Sequence, residues 1–303
     1  MAKFRQYNIQ LLPLDTVKTP EVGIEGYKKL FDQLSTETSI AFKNKKMANQ
    51  AKALINDTFI CPFVVHTDEK FAYGKFVKYN KADTVTDFYD KTPLFEATKE
   101  VAAVSNVYYF RFVFDYTWHR FGIEENGTKL PKPDVMLKVL EHFLEKSAKN
   151  YFPDHSLTLN LISDQVSMNE ALTEGNQFGS VDVKITFPNS HRLNDELREL
   201  KKLNAHNIQA HVSPARGAQM PGLPEYIRKL VEMAPEFGEA TITFFKAISN
   251  NDKVIKFKRM IYSSTKNPRY FILRQKKNEG EFGFVERAWR YMKALADKNN
   301  ETK

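Results

Sequence analysis

The chain has 303 residues, 42% of them apolar and 13% aromatic, with 24 Phe and 13 Tyr. That length accommodates two domains or one large one, and that apolar content supports sizeable cores and excludes a generally disordered chain. A single cysteine excludes a disulfide framework and a cysteine-based metal site within one chain, while a net charge of +8 directs attention to polyanions.

Residues Tyr7–Leu14 read as a first strand, ended at Pro13. Gly26–Leu34 carries Tyr27, Leu30, Phe31 and Leu34 at helical spacing. Phe42 to Lys52 is a basic loop entering a strand at Ala53. Phe59–Val65 and Phe71–Tyr79 read as strands joined by His66-Thr67-Asp68-Glu69. Cys61 sits inside the first of these, so it reads as a small buried hydrophobe. That apolar run is too short to span a bilayer. Met1 to Asn8 lacks the apolar core of a signal peptide, so a cytoplasmic protein with no membrane insertion is expected.

Lys81 to Ala97 alternates charge with turn residues and reads as an irregular connection. Val107–Phe114 and Arg120–Glu124 form a hairpin, followed by the turn Asn126-Gly127. Pro131 and Pro133 precede an amphipathic helix, Asp134 to Asn150. Then come a strand at Ser156–Ile162, a short helix at Asn169–Glu174 and a strand at Val181–Phe187. A charged helix runs from His191 to about Asn204. A loop rich in Gly and Pro, Ser213 to Pro224, leads to a helix at Pro224–Met233. Three strands follow, Ala240–Ile248, Val254–Tyr262 and Arg269–Gln275, separated by turn formers. They predict an antiparallel meander. A last helix, Val285 to Ala296, precedes a polar tail. The expected class is α+β with a mainly antiparallel sheet. A composition shift near Gly127–Pro133 divides the chain into a β-rich N-terminal domain, 1–130, and an α+β domain, 131–303.

The positive charge is concentrated in the predicted meander. Lys246 to Lys277 holds ten Lys and Arg against one acid, Asp252, a local +9. The rest of the chain therefore sums to −1. Basic edge strands also protect sheets from aggregation, but mixed charge would serve that purpose as well. A sheet face carrying both cations and aromatics suits phosphates and exposed bases. The expected phosphate-gripping residues are Lys253, Lys256, Lys258, Arg259, Lys266, Arg269, Arg274, Lys276 and Lys277, with Tyr262 and Tyr270 stacking on bases. Binding would be largely independent of nucleotide sequence, with DNA the expected ligand. Five to seven phosphate contacts would give log K a slope of about −4 to −6 against log salt.

No Gly-rich phosphate loop, dinucleotide fingerprint, zinc-protease or nucleophile-elbow motif occurs. No resident cofactor is expected. An alternative reading is a Mg²⁺-dependent nuclease in which Asp164 and Asp182 hold the metal and Lys184 orients the attacking water. Strand alternation puts Asp182 and Lys184 on one face, which is also what a half-buried strand shows to solvent. A third reading is an interaction module whose basic sheet receives an acidic protein.

The order of elements resembles the RexA-type phage-exclusion protein of lambda and a related bacterial family. The similarity lies in the hairpin Tyr108-Tyr109-Phe110-Arg111-Phe112-Val113-Phe114-Asp115 with His119-Arg120, and in the strand Val181-Asp182-Val183-Lys184-Ile185. A charged helix, the basic β-region and a C-terminal helix extend it. The resemblance implies DNA binding, phage exclusion or defence, a homodimer and a partner protein in a defence system. No catalytic motif carries over with it.

Overall fold

A computed structural model describes residues 1–82, 84–98, 103–187, 195–249 and 255–301. The chain opens with β1 (Ala2–Pro13), α1 (Ile24–Lys43), α2 (Met47–Gln50), β2 (Lys52–Ala53), β3 (Thr58–Thr67) and β4 (Phe71–Ala82). A small hairpin, β5 (Thr84–Thr86) and β6 (Pro93–Glu96), precedes β7 (Ala103–Asp115), β8 (Arg120–Glu125), α3 (Pro133–Tyr151) and β9 (His155–Leu161). The remainder is α4 (Gln165–Glu174), β10 (Gln177–Thr186), α5 (Asp195–Lys202), β11 (Asn207–Val212), α6 (Glu225–Phe237), β12 (Gly238–Ser249), β13 (Ile255–Ser263), β14 (Tyr270–Leu273) and α7 (Glu281–Glu301). The fold is α+β, and every strand pairing among the described residues is antiparallel.

Two sheets carry the fold. The larger runs β14-β1-β8-β7-β4-β3-β2, with β9 also on β1. The smaller runs β11-β10-β12-β13. β1 is the organising strand of the first. One edge pairs along Lys3–Asn8 with β8. The other is shared, since β14 pairs with Ala2–Arg5 and β9 with Tyr7–Pro13.

The alternation of β1 explains its burial on both faces. Tyr7, Ile9 and Leu11 face α1 and α3, whose Tyr27, Leu30, Phe31, Val139 and Leu140 pack on Phe110, Phe112 and Phe114 of β7. The helical spacing of the α1 residues selects that face, and the helix continues to Lys43, a turn or more past the expected end. Phe4 faces the opposite side, where α7 lays Phe284, Val285, Ala288, Trp289 and Met292 over Phe71, Val113 and Phe271. The first sheet is thus the middle of three layers. In the second sheet Val181, Val183 and Ile185 of β10 and Ile242 and Phe244 of β12 pack against α4 and α6. Cys61 is buried as expected, and burial pushes its thiol up to about 12.

Several expectations are corrected. The three-strand basic meander does not form. β12 and β13 make a hairpin in the second sheet, whereas β14 crosses to β1 in the first. The long edge of β1 offers β14 a partner buried on both faces, which a place beside β13 would not. Elements from both sides of residue 130 build the first sheet, because α3, β9, β14 and α7 all pack on it. The connection at 81–97 contains the hairpin β5–β6. β11 occupies a stretch for which no strand was expected. The expected helix start at His191 lies outside the described residues, and α5 is described from Asp195. No helix among the described residues is long and apolar enough to cross a membrane.

Candidate nucleic-acid interface

The ten cations of the basic stretch fall in different places. Lys253 lies outside the described residues. Lys256, Lys258 and Arg259 are all exposed on β13. Alternation divides them, so that Lys256 and Lys258 share the helix-covered side of the sheet with Met260 and Tyr262, while Arg259 shares the other side with Phe257 and Ile261. Lys258 stands opposite Lys246 in the β12 register, and Lys246 is neutralised by Glu174 at 2.7 Å.

Arg269 is not available to a ligand. Its side chain is 15% exposed, and Nη1 lies 3.5 Å from Glu236 Oε1. The other Glu236 oxygen takes Arg120 Nη2 at 3.0 Å, and Asn8 Nδ2 donates to the Glu236 carbonyl. Burial pulls the Arg269 pKa down and Glu236 pushes it back up. Backbone bonds fix the position, since Arg269 N–H donates to Ile162 O at 2.8 Å and Gln6 N–H to Arg269 O. These residues form a polar seam between the two sheets.

Tyr262 is likewise corrected. It is 4% exposed in the second core, with its hydroxyl 3.5 Å from Ser163 Oγ, so its ring cannot stack on a base. Burial raises its pKa. Tyr270 is half-buried, and Lys3 Nζ covers one face of its ring at 3.5 Å. Tyr270 and exposed Lys266 line an open cleft at the seam with Asp164, Ser167 and Asn267. Arg274, Lys276 and Lys277 are exposed beyond β14, beside the start of α7. There Lys276 N–H donates to Glu279, which Arg287 holds at 2.6 Å. Those contacts draw the Glu279 carboxyl down to about 2.

The nuclease constellation is not assembled. Asp164 caps α4, accepting from Ser167 N–H at 2.9 Å and from its hydroxyl at 2.7 Å, on the helix-covered side of the second sheet. Asp182 and Lys184 point to the opposite side, between the buried Val181, Val183 and Ile185. Asp182 is bound to His211 Nδ1 at 2.6 Å. Among the described residues no three His, Cys, Asp or Glu side chains gather as a metal site.

What sequence reasoning missed is the open face of the second sheet. Phe257 is 47% and Ile261 60% exposed, on the side away from the core. Across the hairpin Arg259 stands opposite Phe245, Phe257 opposite Ala247 and Ile261 opposite Thr243. A cation is therefore placed among two phenylalanines and an aliphatic side chain on a surface that none of the described helices covers. The signal was present in the alternation of Phe257, Arg259 and Ile261, but apolar residues at period two ordinarily mark the buried face. Such a surface offers ring faces and a guanidinium to planar ligands.

No curated protein matches the chain. The sequence profile of a domain of unknown function, DUF4747, matches residues 5–285 and so spans both sheets. The chain belongs to the DUF4747 family.

Proposed function

We propose that the protein binds single-stranded nucleic acid across the β12–β13 half of the second sheet. The observation that carries this reading is the exposed Phe257-Lys258-Arg259 segment of β13, which sets an aromatic ring and a guanidinium on an uncovered face and a lysine at the sheet edge. Bases would stack on Phe257 and Phe245, Arg259 would hold a phosphate on that face, and Lys256 and Lys258, which leave the edge strand on its other side, would hold phosphates where the backbone turns around the edge. Stacking is tolerant of base identity, so binding is largely sequence-independent. Three phosphate contacts on a single strand give log K a slope of about −2 against log salt, shallower than the full basic stretch would give. Phe257→Ala should weaken binding by about 5- to 160-fold, in keeping with about 1–3 kcal/mol per stacked base. Fluorescence anisotropy with single-stranded DNA and RNA oligonucleotides measures this directly. An unchanged affinity in Phe257→Ala would remove the stacking role.

The RexA-type resemblance suggests the setting, a cytoplasmic, homodimeric protein acting with a partner in phage exclusion. Expression in a phage-sensitive bacterium should lower the efficiency of plating, and Phe257→Ala should restore it. Equal plating with and without the protein would detach the binding activity from phage defence.

A further inference from the structure

The other half of the open face, built by β10 and β11, holds a different arrangement. Asp182 and His211 are directly opposed in the register of the two strands. Ser213 follows His211 by two residues, and period two returns it to the same face. The result is a relay. Asp182 Oδ1 lies 2.6 Å from His211 Nδ1, and His211 Nε2 lies 3.2 Å from Ser213 Oγ. An acid on Nδ1 fixes the tautomer that leaves Nε2 as the base, and the atom facing that base is a hydroxyl oxygen. Two paired strands carry the acid and the base, which makes the geometry less adjustable than a loop would. Asp182 is 56% and His211 57% exposed, so the relay meets solutes from bulk solvent.

We propose that Asp182, His211 and Ser213 form a serine-nucleophile site that hydrolyses small acyl esters. Ser213 Oγ attacks the ester carbonyl while its proton passes to His211 Nε2. The carbon–oxygen bond to the leaving alcohol then breaks, and that oxygen takes the proton from His211. Water repeats the sequence on the acyl-serine, giving the carboxylic acid and restoring the Ser213 hydroxyl. Ester and water become acid and alcohol, with no other reactant. Asp182 is a positioning residue that keeps the imidazole oriented and stabilises its charged form. Ser213 opens the loop 213–224, which is held against β10 by reciprocal bonds between Met220 and Phe178 at 2.8 Å. That loop carries one cation, Arg216, to which the proposal assigns the negative charge developing on the carbonyl oxygen.

The test uses the 303-residue chain and a fluorophosphonate probe, which captures activated serines, followed by peptide mass spectrometry. The expected result is a single adduct on Ser213, lost in Ser213→Ala and in His211→Gln, with p-nitrophenyl acetate turnover lost in parallel. Asp182→Asn should slow labelling about 100-fold or more and change its pH profile, because Asp182 no longer selects the tautomer. Among the described residues of the sheet, the charged groups sharing this face with His211 are Asp182 and Lys184 on β10, Glu239 on β12 and Arg259 on β13, so Glu239→Gln is the control that leaves the profile in place. An adduct elsewhere, labelling that survives His211→Gln, or no labelling where a reference serine hydrolase reacts fully would overturn the proposal. Ser213→Ala should leave oligonucleotide binding intact, so the two readings fail separately.

Discussion

Glu236 is the residue whose surroundings decide most at the seam between the sheets. It is 5% exposed and bears the negative charge that Arg120 and Arg269 share. Removing one member of a buried, hydrogen-bonded charge group costs about 3–5 kcal/mol, because the partners stay buried without compensation. Glu236→Ala should therefore lower the unfolding free energy by that amount in urea titration. A loss below about 1 kcal/mol would mean that water reaches the two guanidiniums. Sequence reasoning gave Arg269 to a ligand because it lies in a run of cations. Nothing local marks it as buried. Its partner Glu236 lies 33 positions away in the chain, and Arg120 and Asn8, which bind Glu236, lie 149 and 261 positions from Arg269, so the group assembles only when β1, β8 and α6 converge. Tyr262 was misplaced for a related reason, since a tyrosine on a basic strand reads equally as a base platform and as a core ring. Alternation places Tyr262 and Arg259 on different faces of the strand, but does not say which of the two faces the helices cover.

At the scale of elements, the junction of α6 and β12 has little room. Gly238 follows the helix directly, and a Cβ there would stand 1.9 Å from the Lys184 carbonyl oxygen of the neighbouring strand. Its φ of −179° is extended backbone open to any residue, so the constraint is space alone. Gly238→Ala must push β12 away from β10 at Ile185, and overpacking of this kind costs about 1–3 kcal/mol. Thermal unfolding should report it, and an unaltered Tm would show that the strands separate freely at this end. The periodic elements were legible in the sequence: α1, α3, α6, α7 and the long strands follow from their spacing. The short ones were not. β11 buries only Ile208, Ala210 and Val212 in part, a pattern too weak to stand out from a loop. β14 is four residues long, and its choice of β1 over β13 depends on an edge at the far end of the chain. Short strands take their identity from the neighbour they pair with, and sequence adjacency to β13 suggested the wrong neighbour.

Across the whole molecule, a local +9 is distributed over two sheets and a buried seam rather than gathered into one patch. Arg259 on the open aromatic face of β13, with exposed Lys256 and Lys258 leaving the same edge strand on its other side, forms the interface proposed for nucleic acid. Its charge was readable from composition, whereas its aromatic partners were hidden by the rule that apolar alternation points inward. Anisotropy of a labelled single-stranded oligonucleotide, taken across a salt series for the wild type and for Lys256→Ala/Lys258→Ala/Arg259→Ala, tests the account most directly. The account predicts wild-type binding with a slope of about −2 in log K against log salt, and a triple variant that binds weakly with a slope near zero. Equal affinity and equal slope in the two proteins would contradict it, and would move the phosphate contacts to Lys266 or to Arg274, Lys276 and Lys277.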